Sequence, residues 1–355
     1  MNLLQKYIQN GALSGDPVDR LLQANGDVNV LRPFIGTDGG SYVTRISALG
    51  RVECTPIHNT HATLRKDEWK YLDDAIVKAA KERLKIVADL RGMGLTFSIP
   101  QGMGKTVLET ETQSDVNDAV VSMDGLRESP DDRPEYELGF LPLPITHKDF
   151  MFSARQLLTS RNGGSPLDTS SAELGARKVG ESIEKVTLGI TTGLTFGAGT
   201  VVGLTNFAGR LTQVLTAPTA AGWTPATFLN EVLAMRASSV AAFHYGPWML
   251  YVAPAWDIYL DGDFKAASDK TLRERVKALN GITDIRTLDF LTGYQVLLVQ
   301  MTSDIVRLIV GMDVTTLQWD TKGGMQKNFK IMAIIVPQVR GDFNGNTGIV
   351  HGNTA

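Results

Sequence analysis

The sequence predicts an α+β fold with mixed sheets. Helical and strand-like patterns alternate along the chain without the regular rhythm of βαβ units. Strand-like stretches gather in its last quarter, after two long helical patterns. Its 355 residues, 43% of them hydrophobic, suffice for one elaborate domain or two. No internal repeat is apparent.

Residues 1–65 have no sustained period. GDPVD, ANGD, GTDGGS and HNTH punctuate them with turn residues. They read as an extended arm with little core of its own, which needs another surface to lie on. Residues 65–90 then read as one helix, with Trp69, Leu72, Ile76, Ala80, Leu84 and Val87 at spacings of three and four. Gly92 and Gly94 end it.

Two β-like stretches follow, over residues 106–123 and 135–145, joined by the charged, turn-rich DGLRESPDDRP. They predict a long polar hairpin with too few apolar residues to bury itself. A two-stranded ribbon is marginal in water, so the hairpin implies a partner surface. Pro142 and Pro144 exclude the returning segment from the centre of a sheet.

A second long helix opens at Asp168 or Ser170, either of which can cap it. Leu174, Val179, Ile183, Val186 and Ile190 make its apolar stripe. Glu173, Arg177, Lys178, Glu181, Glu184 and Lys185 cover the rest. Residues 186–209 carry no charge, but their glycines and threonines predict a buried turn region rather than a membrane span. GLTNFAGR, 203–210, reads as an exposed or domain-crossing loop. Thr224 and Pro225 start another helix, with Phe228, Leu229, Val232, Leu233, Val240 and Phe243 as its core face. WMLYVAP is a buried strand and residues 271–279 a further helix. RTLDFL, YQVLLVQM, TTLQWD and FKIMAIIVPQVR are strands, followed by a glycine- and asparagine-rich tail.

The composition excludes several classes of function. A net charge of −3 gives no basic excess for reading nucleic acid or for holding a charged membrane surface. One cysteine, Cys54, allows no intramolecular disulfide and no cysteine-based zinc site. The N-terminus lacks the basic start and apolar core of a signal peptide. GMGKT, 102–106, has Ile99 where a phosphate loop needs its first glycine, and it leads into a strand rather than a helix. GAGTVVG, 197–203, follows a helix instead of the strand a dinucleotide loop requires. His58 and His61 sit near Glu53 and Cys54 in an irregular segment, without a convergent third ligand. His147, His244 and His351 are far apart, and no nucleophile elbow is present. RGD, 340–342, reads as the turn after a strand. No catalytic, cofactor or metal site is predicted, and the chain reads as a structural subunit rather than an enzyme.

The run FMFSARQLLTSRNGGSPLDTSSAELGARKVGESIEKV, followed by GLTNFAGR, GPWMLYVAP, WDIYLDGDF, VRLIVGMD, LQWD and FKIMAIIVPQVR, resembles the major capsid proteins of tailed bacteriophages. It resembles equally the encapsulin shell proteins that share their Hong Kong 97-type fold. The resemblance spans about residues 66–352 and rests on the order of its patterns. It implies an N-terminal arm over 1–65, a helix opening the peripheral domain over 66–103 and an E-loop over 104–146. The peripheral domain with its spine helix would follow over 147–224, then an axial domain over 225–330, with a return strand and tail over 331–355.

The function implied is a major capsid protein that self-assembles through pentamers and hexamers into an icosahedral shell around double-stranded DNA, held by non-specific contacts. Assembly would take place in the host cytoplasm, with scaffolding, portal or decoration proteins as partners and no membrane. The alternative is an encapsulin-type compartment around a protein cargo. An arm longer than in typical encapsulins favours the capsid. Expected inter-subunit contacts are the E-loop tip residues Asp124, Gly125, Leu126, Arg127, Glu128, Asp131, Asp132 and Arg133. Leu174, Val179, Ile183 and Val186 are the expected spine-helix core. Some capsids of this fold join an E-loop lysine covalently to a neighbour. Lys105 is the only lysine between Lys85 and Lys148, and it lies near the predicted base of the hairpin.

Overall fold

The computed structural model describes residues 17–47, 51–57, 62–81, 84–114, 118–124, 126, 128, 131, 133–163, 169–265, 270–342 and 345–354. The chain opens with α1 (Pro17–Gln23) and a small sheet of β1 (Phe34–Ile35), β2 (Ser41–Ile46), β3 (Val52–Pro56) and β4 (Leu64–Arg65), in the order β3-β2-β1-β4. Val30, Leu31, Val43 and Ile57 bury one another here and close on Leu317 and Met332 from the far end of the chain. Buried Arg20 donates to the Val30 carbonyl at 3.2 Å. Of the extended arm expected over 1–65, the described residues form a folded layer on the chain's own body. Its apolar partners lie far away in sequence, so no local period announces it.

Two helices, α2 (Lys66–Lys81) and α3 (Lys85–Gly92), stand where one was expected. Trp69, Leu72, Ile76 and Ala80 are the buried stripe of α2, and Ile86, Val87 and Leu90 continue it on α3. Leu84 breaks the helical path with φ −91° and ψ 69°. The Ile86 amide then donates to the Glu184 carboxylate at 2.8 Å, so α3 starts on a side chain 98 residues away.

After β5 (Thr96–Ser98) come the hairpin strands β6 (Val107–Gln113) and β7 (Tyr136–Pro142), then β8 (Thr146–Ser153), α4 (Ala154–Gly163) and α5 (Ser170–Leu188). Two-residue strands β9 (Thr195–Phe196) and β10 (Gly199–Thr200) pair within the glycine-rich stretch. The remainder runs β11 (Leu211–Leu215), α6 (Pro225–Ala241), β12 (Trp248–Val252), α7 (Asp257–Leu260), α8 (Leu272–Lys277), β13 (Ile282–Thr287) and β14 (Val296–Gln300). The long strands β15 (Val306–Thr321) and β16 (Gln326–Val339) and then β17 (Ile349–Thr354) complete it.

Two larger sheets organise the body. One has the order β5-β15-β16-β8 and carries α5 on one face. An ideal Cβ on Gly175 would lie 3.3 Å from Ile331 Cδ1, so a small residue lets α5 approach the sheet. Phe150 stacks on Phe329 at 5.2 Å, and Phe152 and Trp69 meet Phe329 edge-on. The other sheet has the order β11-β17-β14-β12-β13, and every residue of β12 and β14 is buried. One hydrophobic core runs from α2 to β17 and joins the two sheets.

Sheet membership does not follow chain order. β15 pairs with β16 and β5, so residues 306–321 lie in the α5-bearing sheet. The glycine- and asparagine-rich tail becomes β17, paired between β11 and β14, with Ile349 and Val350 fully buried. On α6 the buried residues are Phe228, Val232, Met235 and Ser239; Leu233, Val240 and Phe243 are exposed, and Phe243 lies beyond the helix.

Candidate functional site

The hairpin is a seven-pair antiparallel ladder from Val107↔Pro142 to Gln113↔Tyr136. The Ser114 amide donates to the Glu135 carbonyl at 2.9 Å, and the Glu135 amide donates to Ser114 Oγ at 2.8 Å, which closes it. The first strand is thus shorter than the expected 106–123, because beyond Ser114 no third strand or core among the described residues supports a polar ribbon.

At its base the ribbon is anchored. Leu141 and Leu143 join Ile99, Val186, Val201, Ile309 and Ile334 in a second core. The glycine-rich stretch braces it: an ideal Cβ on Gly199 would stand 2.4 Å from the Phe140 carbonyl oxygen. GMGKT forms a single 3-10 turn, Gly102–Gly104, leading into β6, and provides no helix N-terminus for a phosphate. Lys105 is exposed at this base.

Above the base, alternation sorts the ribbon into two faces. One face carries Glu109, Glu111 and Gln113 opposite Phe140, Leu138 and Tyr136, and all three apolar partners are exposed. The sequence reading missed this row; its signal was the period of two in YELGFLP. Of the expected tip contacts, Asp124, Leu126, Glu128, Asp131 and Arg133 are exposed. Gly125, Arg127 and Asp132 lie outside the described residues.

On α5, Val179, Ile183 and Val186 are buried. Leu174, expected in the same stripe, is 55% exposed. The stripe instead begins with Ala172, Gly175 and Ala176, whose small side chains permit the close approach to the sheet. Leu174 shares the outer face with Arg177 and Lys178 at helical spacing. The helix ends at Gly189, with φ +85°, and Leu204 and Thr205 donate their amides to the Thr187 and Leu188 carbonyls. GLTNFAGR is therefore packed on the helix terminus at Gly203 and Leu204, because the last carbonyls of a buried helix need donors.

Glu184, expected on the solvent face, is only 1% exposed. Burial pushes its carboxyl up from 4.5 to about 7, against the lowering effect of the Ile86 and Val87 amides. Nearby Asp89 accepts from the Tyr251 hydroxyl and pairs with Arg286, both at 3.0 Å. Burial raises the Asp89 carboxyl as well, more than Arg286 lowers it. This polar cluster ties α3 to α5 and to β12 and β13.

The remaining candidate chemistry does not converge. Cys54 and Glu53 are exposed on β3, while His58 and His61 lie outside the described residues. His147 is exposed on β8, His244 is buried 4.0 Å from Asp342, and His351 sits on β17. Among the described residues, no three of His, Cys, Asp or Glu form a group able to hold a metal. No described helix is long and apolar enough to cross a membrane. In RGD, the Arg340 amide donates to the Ile305 carbonyl and Asp342 accepts from the Asn346 amide, as befits a turn after β16.

Solved structures share this architecture. A virus-like particle protein from Pyrococcus furiosus matches with a TM-score of 0.57 at 18% identity, over 80% of this chain and 99% of its own. The capsid of Myoviridae phage XM1 matches at 0.54 and 11% identity, over 71% and 86%. A structure from Mycobacterium phage Bobi matches at 0.51 and 16% identity, over 74% and 90%. The chain has the fold of the Hong Kong 97-type capsid superfamily. Residues 59–352 match a family of unknown function, DUF6260, and the chain belongs to that family. No curated protein sequence matches it.

Proposed function

We propose that the chain is the major capsid protein of a tailed bacteriophage, a structural subunit whose copies close into an icosahedral shell around double-stranded DNA. The observation that carries this is the exposed row Tyr136, Leu138 and Phe140 on a ribbon that projects from the core. Burying one such side chain is worth roughly 1.5–3 kcal/mol, and the ribbon's own chain leaves the row in water. A neighbouring copy satisfies it. Many modest contacts per subunit then make the shell avid.

In this reading the hairpin is the E-loop and α5 the spine helix. The α5-bearing sheet is the peripheral domain. The five-stranded sheet with α6 to α8 is the axial domain; the chain leaves it near residue 301, because β15 belongs to the other sheet, and returns to it as β17. DNA is held by diffuse, salt-sensitive contacts. Scaffolding, portal or decoration proteins are the further partners, and assembly takes place in the host cytoplasm.

Shortening residues 125–133, or combining Leu138→Ser with Phe140→Ser, is expected to leave circular dichroism native while particles vanish from light scattering and electron micrographs. Exposed substitutions change stability by about 0.5 kcal/mol or less, so folding is spared. Normal particles from these variants would remove the hairpin from the interface. The shell is further expected to be held without covalent cross-links. Lysine attacks only when neutral and shielded from water, and Lys105 stands exposed at the ribbon's base, far from the tip. Boiled particles should run as one band at the monomer mass. A ladder that disappears in Lys105→Ala would refute this.

A further inference from the structure

A cleft of about 540 Å³ lies beside the foot of the hairpin, walled by the end of α1 and its following turn, by β2, by the turn at 101–103 and by β15. Met103 and Met312 supply apolar, adaptable lining. Gln23, only 4% exposed, lines the cleft, and neither atom of its carboxamide has a hydrogen-bond partner. Such buried polar groups are nearly always satisfied in a native assembly. A carboxamide offers one donor side and one acceptor side together, which is the complement of a peptide backbone. Asp27 Oδ2 is likewise without a partner, and Arg45 makes no ion pair among the described residues. The cleft thus suits a peptide segment bearing apolar side chains and a carboxylate.

The same chain carries such a segment at the other end of the ribbon. Val121, Met123 and Leu126 are each at least 82% exposed, with Asp124 between them. Seven residue pairs span six steps of about 3.4 Å, so the ladder's outer end, Gln113↔Tyr136, stands roughly 20 Å from its foot, and this segment follows it in the chain. Each copy therefore offers an apolar knob and a cleft at opposite ends of one ribbon. Knob and cleft on different surfaces make a head-to-tail contact, which closes into a ring when the rotation allows. We propose that Val121, Met123 and Leu126 of one copy seat in the cleft between Gln23, Arg45 and Met312 of the next, with Asp124 facing Arg45. This rests on the reading that the hairpin contacts a neighbour, and it names the receiving surface.

The test uses full-length chain with Cys54→Ser, into which Met123→Cys and Ser47→Cys are placed singly and together. Assembled particles are treated with a short flexible bis-maleimide and run on a denaturing gel. The double variant should give a ladder from dimers upward, a mixture of the two single variants dimers only, and each single variant alone monomer. In parallel, Arg45→Glu should lower particle yield at least tenfold, and adding Asp124→Arg should restore it. Particles without a ladder, or an Arg45→Glu defect that Asp124→Arg leaves unchanged, overturn the cleft assignment while the hairpin reading stands. If cysteine substitution itself prevents assembly, the charge-reversal pair decides. Intact particles after shortening of residues 125–133 overturn both.

Discussion

An Ile183→Asp chain is expected to be insoluble or unfolded. Ile183 is fully buried in α5, within the core that joins α2, the α5-bearing sheet and the five-stranded sheet. The substitution forfeits about 1.5–3 kcal/mol of apolar burial. It also places a carboxylate where no cation awaits it, and desolvating an unpaired charge costs several kcal/mol more. The sum rivals the about 5–15 kcal/mol that holds a whole domain together. Soluble fraction after lysis and circular dichroism measure the result. Ile183→Val, which removes one methyl group, should cost about 0.5–1.5 kcal/mol and keep both fold and assembly. Leu174→Asp, on the exposed face, should fold normally. A soluble, assembling Ile183→Asp chain would mean that the helix buries a different face.

What the sequence disclosed follows the reach of its physical signals. The long amphipathic helices and the continuous apolar runs of β12, β14 and β16 were legible, because period and burial are local properties. The fold was legible from the order of those patterns. The folded layer formed by the described residues before α2 was not, since Val30, Val43 and Ile57 find their partners at Leu317 and Met332. The break between α2 and α3 was hidden for the same reason: its capping acid is Glu184, which helical spacing alone places among surface charges. Leu174 misled in the opposite sense. A large apolar residue next to Gly175 and Ala176 suggests a core position, yet the close approach of helix and sheet reserves the inner face for the small residues. The tail failed on composition, because glycine and asparagine obscured a strand whose pairing comes from β11 and β14. At the hairpin, turn chemistry marked the tip, while the exposed row on β7 required the register with β6 to become visible.

A Glu184→Gln chain is expected to lose a pH dependence of stability that the natural chain has between about pH 4.5 and pH 7. Burial in the seam between α5 and α3 raises the Glu184 carboxyl from 4.5 to about 7. Between these values the folded chain holds a proton that the unfolded chain has released. Stability contributed by this group is therefore fully present below pH 4.5 and is lost as pH rises through 7. A shift of that size corresponds to about 3 kcal/mol. The surrounding groups do not reverse the sign. Asp89 raises the Glu184 carboxyl further, Lys85 lowers it in part, and Arg286 is engaged with Asp89. Asp89 is also raised by burial and acts in the same direction, while the Tyr251 hydroxyl is pushed well above its ordinary range and does not titrate in this window. Glutamine keeps an oxygen to accept the Ile86 amide and carries no charge. In urea unfolding followed by circular dichroism, Glu184→Gln should be more stable than the natural chain at pH 8, by up to about 3 kcal/mol, with the gap closing by pH 5. Glu184→Ala should be weaker than Glu184→Gln at both pH values, by about 1–3 kcal/mol, because the start of α3 loses its acceptor. A difference between the natural chain and Glu184→Gln that stays constant from pH 5 to pH 8 would show that the carboxyl does not take up its proton in the fold.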